Sequence, residues 1–141
     1  MNAATIEFGT KGETLARLAP LVADASFCAQ ILFSVADWKR DADGLVRQIM
    51  DKFGDGLLVV RSSGQSEDTH ASSMAGVFDS VISVELTADA ITRAVETVMA
   101  SYGNGPDSNQ ILVQPMISNV EISGVVVTRE LAVGGPYFVI N

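Results

Sequence analysis

Leu57-Leu58-Val59-Val60 is an unbroken apolar run, opened by Gly56 and closed by Arg61. Successive side chains of a strand point to opposite faces, so four apolar residues in a row predict an interior strand covered on both sides. Such a strand needs other elements layered around it. The 141 residues, 48% of them hydrophobic, suffice for one core of this kind, and a single domain or part of one is expected.

The flanking sequence supplies those elements. Thr10-Lys11-Gly12-Glu13 fits a capping box that opens a short helix, with Leu15, Leu18 and Val22 as its apolar stripe and Pro20 ending or distorting it. Phe27 to Val35 reads as a short buried strand, and Asp37 to Asp43 as turn residues around Trp38. Leu45, Ile49 and Phe53 line a helix widened by Val46 and Met50 and stopped by Gly54. Phe78, Ser80, Ile82 and Val84 alternate with Asp79, Val81, Ser83 and Glu85, as in a half-buried strand.

Thr87 caps a helix that buries Ile91, Ala94, Val95, Val98 and Tyr102 and ends at Gly103. Strands follow at Ile111 to Gln114, Gly124 to Thr128 and Tyr137 to Ile140. Helices and strands mix without strict βαβ alternation, so an α+β (mixed α/β) architecture is expected, a mixed sheet with flanking helices. The stop one residue after an uncovered strand reads as a cut within a domain.

Nine Lys plus Arg stand against seventeen Asp plus Glu, a net charge of -8. That balance disfavours a non-specific grip on nucleic acid or anionic membrane, so any phosphate partner must be held by a few placed cations. The one cysteine, Cys28, sits among apolar neighbours and is expected as a buried thiol, in keeping with the cytoplasm. The N-terminus lacks a signal-peptide pattern, and no apolar run approaches the roughly 18 residues needed to span a bilayer.

Lys11 falls in a first helical turn, where unpaired amides and the helix dipole favour an anion, although an isolated lysine is more commonly a solvated surface residue. Arg61 closes its strand and faces the Ser62-Ser63-Gly64 turn, whose small residues leave amides open to a phosphate; pairing with Glu67 or Asp68 to pin the loop is an equal reading. The polar, aperiodic stretch from Ser62 to Gly76 has a length more often functional than idle. His70 has no orienting acid or nucleophile motif around it, and one Cys with one His makes no metal site. Pro115 in Gln114-Pro115-Met116-Ile117 either marks a β-bulge with Met116 in the core or opens backbone groups to an adenine edge. Neither a P-loop nor a dinucleotide fingerprint is present.

Taken in order, these segments resemble a known family. Val59-Val60-Arg61-Ser62-Ser63, Glu67-Asp68 and Ser72-Ser73-Met74-Ala75-Gly76 are similar to the VRSS, ED and S-x-A-G sequence of the ATP-binding domain of the phosphoenolpyruvate synthase and pyruvate phosphate dikinase family. Gly9-Thr10-Lys11-Gly12 resembles its GGKG segment, with Thr10 where a second glycine is usual. Gln114-Pro115-Met116-Ile117 and Ser123-Gly124-Val125-Val126-Val127-Thr128 resemble its QxMV and sGVxFT.

The resemblance implies the first part of an ATP-grasp-like domain spanning residues 1–141. It implies that Lys11 and Arg61, with Ser62 and Ser63, contact ATP phosphates, that the loop carrying Ser73, Ala75 and Gly76 closes over them, and that Gln114, Met116 and Ile117 lie near the adenine. In the family, ATP phosphorylates a histidine on a separate domain, and the phosphoryl group passes on to pyruvate or a related acceptor. The phosphohistidine and pyruvate-binding domains of a parent protein are the implied partners. Mg²⁺ is expected only with the acidic residues that the family places further along the chain, so this part alone is not expected to catalyse. Two rivals stand beside this reading: a non-catalytic interaction or regulatory module that keeps the lobe as a scaffold, and a hydrolase using Ser63 or Ser66 with His70, for which no oxyanion hole is legible.

Overall fold

The computed structural model describes residues 7–64, 80–129 and 134–140. Thr10 caps α1 (Lys11–Leu18) with the expected box: its hydroxyl accepts from the Glu13 amide, and the Glu13 carboxylate accepts from the Thr10 amide. Pro20 falls in a 3-10 turn (Ala19–Leu21) that ends the helix.

β1 (Ile31–Ser34) is shorter than the strand read from the sequence, and α2 (Val35–Phe53) begins where turn residues were expected. A second capping box is the cause. Ser34 Oγ accepts from the Asp37 amide, and the Asp37 carboxylate accepts from the Ser34 amide and hydroxyl. The turn-forming composition still leaves a mark: Asp41 interrupts the helix at φ -153° and ψ 70°, and its carboxylate accepts from the Gly44 amide as a fresh N-cap does.

β2 (Leu57–Ser63), β3 (Ser80–Glu85) and β4 (Gln110–Pro115) join β1 in a sheet of order β1-β4-β2-β3, antiparallel at each pairing. Between β3 and β4 runs α3 (Ala88–Ser101), capped by Thr87 and burying Ile91, Ala94, Val95 and Val98 as the periodicity predicts. β5 (Val126–Val127) and β6 (Val139–Ile140) form a separate antiparallel pair. Helices with an antiparallel sheet make this an α+β fold. Among the described residues no helix is long and apolar enough to cross a membrane.

One sheet face carries the main core. Ile31, Phe33, Leu58, Val60, Ile111 and Val113 from the strands meet Trp38, Val46 and Ile49 of α2 and the apolar face of α3. Phe33 stacks on Trp38 at 5.8 Å. Each such side chain, fully buried, stabilises by roughly 1.5–3 kcal/mol. The other face is covered only in part: Val59 is half-buried and Leu57 exposed, so the expectation that both faces of β2 are closed holds for one of them.

The expected alternation is also broken within Ser80–Glu85, Phe78 and Asp79 lying outside the described residues. Ile82 and Ser83 of β3 stand opposite Val59 alone, with Ser83 at φ 57°, which is a β-bulge. The extra residue turns both Val81 and Val84 to the core and leaves Ile82 64% exposed.

Candidate functional site

The end of β2 and the start of β4 lie side by side, Ser63 paired with Gln110 and Arg61 with Leu112. The first turn of α1 sits on this end. The Gly12 amide donates to Ser63 Oγ at 2.9 Å, and Lys11 Nζ donates to the Ser62 carbonyl at 3.2 Å. Side chains alternate along β2, so Arg61 points to the same face as Ser63, the face that α1 occupies. Lys11 and Arg61 therefore share one side of the sheet. Among the described residues the Arg61 guanidinium enters no hydrogen bond or ion pair.

Docking this close depends on Gly12. A Cβ there would lie 2.4 Å from Leu32 Cδ1 and 3.0 Å from Cδ2. A larger residue would have to displace the Leu32 side chain, on which α1 lies directly.

Two expectations about open amides are corrected. The first turn of α1 has little left for an anion, because Ser63 Oγ takes the Gly12 amide and Thr10 Oγ1 takes the Glu13 amide. Ser62 and Ser63 are not in a turn: β2 continues through both, pairing them with Ile111 and Gln110. They are 3% and 0% exposed, and the Ser63 amide donates to Tyr102 Oη at 2.9 Å. The ladder and the tyrosine satisfy groups that a loop would have left open.

A polar network behind α1 was not legible in the sequence. Thr10 Oγ1 donates to Gln110 Oε1 at 2.6 Å, Gln110 Nε2 donates to Glu13 Oε1 at 2.9 Å, and Tyr102 Oη donates to the Gln110 carbonyl. The Gln110 amide, followed by the Thr10 N–H, holds the Glu13 carboxyl below its ordinary value against the opposing effect of burial. Arg17 lies 3.8 Å from the same carboxylate.

Gln114 stands opposite Val59, on the face shared with Arg61, and lines a cavity of about 510 Å³ with Leu15, Phe27, Cys28 and Gln30. Cys28 is half-buried on this wall rather than sealed in the core as expected. No bulge occurs at Pro115, which pairs with Leu58; Met116 extends the pairing by donating its amide to the Leu57 carbonyl at 2.8 Å. The Met116 sulfur accepts from Ser83 Oγ at 3.4 Å, and Ile117 is 64% exposed. The sheet's bulge lies on β3 instead. Ser73, Ala75 and Gly76, with Glu67, Asp68, Ser66 and His70, lie outside the described residues. Among the described residues no group of three or more His, Cys, Asp or Glu is placed to hold a metal ion.

A family model described as the pyruvate phosphate dikinase AMP/ATP-binding domain matches residues 21–106. That span includes Arg61, Ser62 and Ser63 but neither Lys11 nor Gln114. No curated protein and no solved structure matches the chain. Since the match takes in more than half of the 141 residues, the core helices and most of the sheet among them, the chain belongs to the AMP/ATP-binding domain family of pyruvate phosphate dikinase.

Proposed function

We propose that the chain binds ATP as the nucleotide site of a phosphoenolpyruvate synthase-like phosphotransferase, with the Lys11 ammonium and the Arg61 guanidinium gripping the phosphates. The observation that carries this reading is the Lys11 to Ser62 contact, which draws the ammonium to the residue that follows Arg61 on one face of the sheet. In a chain of net charge -8, two cations gathered in one place supply the positive potential that a triphosphate needs. Ser62 and Ser63 act here by holding α1 down, and Ser73, Ala75 and Gly76 complete the phosphate side.

The cavity beside Gln114 suits a purine, being apolar with a few polar groups in its wall. It begins at Leu15, four residues beyond Lys11, about 6 Å along the helix, which is within the span of one nucleotide. Of the three residues expected near the adenine, Gln114 alone lines this cavity; the Met116 sulfur meets Ser83 of β3 and Ile117 is exposed. ATP supplies the phosphoryl group, for a histidine on a separate domain and then pyruvate or a related acceptor, and Mg²⁺ would be held by residues other than those described.

One observation favours the rival reading of a non-catalytic scaffold: protein groups already occupy the Gly12 and Glu13 amides. Isothermal titration with ATP and with adenosine separates the two. A charge-assisted hydrogen bond contributes about 1.5–3 kcal/mol, so Arg61→Ala should weaken ATP binding roughly tenfold or more and leave adenosine unchanged. Equal ATP affinity in the wild type and the variant removes the phosphate role of Arg61.

A further inference from the structure

Gln110 occupies a singular position in this site. It belongs to β4, a strand paired on both sides, and its own register fixes it between Ser34 of β1 and Ser63 of β2. Its carbonyl is further held by Tyr102 Oη. Its side-chain amide then reaches out of the sheet and takes hold of α1 at two points, accepting from Thr10 Oγ1 and donating to Glu13 Oε1. Those two residues flank Lys11.

α1 has only eight residues, too few to hold a helix by itself, so where its first turn lies is set by what grips it. The grip by Gln110 also has an electrostatic side. Glu13 stands two residues from Lys11, and with its carboxylate occupied by the Gln110 amide, the Thr10 amide and Arg17, it is kept from the ammonium and from an incoming phosphate.

We infer that Gln110 is a positioning residue for nucleotide binding: through both ends of its amide it fixes the capping box of α1, and with it the place of Lys11 beside Arg61. The inference rests on the ATP reading given above. The neutral, two-ended amide suits the task chemically. A carboxylate at this position repels Glu13, and an apolar side chain leaves Thr10 and Glu13 without their partner.

The test is a reciprocal exchange. Gln110→Glu removes the donor and sets a second carboxylate against Glu13. Adding Glu13→Gln restores it, because a glutamine at that position can donate to the new carboxylate while still accepting from the Thr10 amide, and net charge returns to that of the wild type. Binding of ATP and of adenosine is measured by titration for each protein, with circular dichroism and a thermal melt alongside.

Gln110→Glu is expected to weaken ATP binding about tenfold, the order of one charge-assisted contact, with adenosine unchanged, and the paired exchange to bring ATP back to within about twofold. In a Lys11→Met background, Gln110→Glu should change ATP affinity little, since the residue acts through Lys11. Should Gln110→Glu fold poorly, Gln110→Met, neutral and similar in length, reads the same loss. The inference is overturned if a folded Gln110 variant keeps the wild-type ratio of ATP to adenosine affinity, or if both affinities fall together. It is also overturned if the paired exchange fails to restore ATP binding. A wild type that binds ATP no tighter than adenosine overturns the phosphate grip itself.

Discussion

Gly12→Ala is the most informative perturbation of the docked helix. The new methyl would sit 2.4, 3.0 and 3.2 Å from Leu32 Cδ1, Cδ2 and Cγ, so the clash is with the branched end of a half-buried side chain on β1. Overpacking of this kind costs about 1–3 kcal/mol. Replacing a helical glycine by alanine returns roughly 0.5–1 kcal/mol. The net expectation is a loss of about 1–2 kcal/mol in urea unfolding at unchanged m, with weaker ATP binding because Lys11 is carried away from β2. The same geometry predicts a reversal. In a Leu32→Ala background all three clashing atoms are gone, and Gly12→Ala should become neutral or stabilising. The reasoning is refuted if Gly12→Ala is as stable as the wild type, or if its cost is the same with and without the Leu32 side chain.

Other consequences follow from the same contacts. Tyr102→Phe removes the acceptor of the buried Ser63 amide and the donor to the Gln110 carbonyl, and should cost about 1–3 kcal/mol in denaturant unfolding, with the core otherwise intact. Acid should destabilise the fold through Asp37. The Ser34 hydroxyl, then the Ser34 amide and Arg40, hold the Asp37 carboxyl down from its ordinary 3.8 to about 2. A depressed folded-state value means that the unfolded chain binds the proton first, so this contribution is complete above the ordinary value and fades as pH falls toward the folded one. Glu13 acts in the same direction. Unfolding midpoints followed from about pH 5 down to pH 2 should drop, and Asp37→Asn should flatten the drop.

What the sequence disclosed, and what it withheld, divides by range. α3 was legible because one helical period places Ile91, Ala94, Val95 and Val98 on a single face between Thr87 and Gly103. The capping box at Thr10 was legible because all its groups lie within four residues. The start of α2 was misread although Ser34 and Asp37 stand at capping-box spacing, since the polar run from Asp37 to Asp43 resembles a turn, and at Asp41 the helix does break. The bulge at Ile82 and Ser83 has no local signature, being set by how β3 must meet β2.

The site shows the same limit more sharply. The sequence pointed to Lys11 and Arg61 as chemical types in suggestive settings, yet their sharing of one sheet face depends on Gly12 reaching Ser63 across the chain. Gln110, bonded to Thr10 and Glu13, was invisible, because a glutamine at the head of a strand carries no hint of a partner so distant. Ser62 and Ser63 were placed in an open turn because small polar residues favour loops. Strand pairing and the Tyr102 hydroxyl override that preference.

A crystal structure of the protein grown with a non-hydrolysable ATP analogue tests the central claim most directly. It should show phosphate oxygens within about 3 Å of both Lys11 Nζ and the Arg61 guanidinium, with the purine in the cavity beside Gln114. Polyphosphate bound on the face of the sheet covered by α2 and α3, out of reach of both cations, would contradict it.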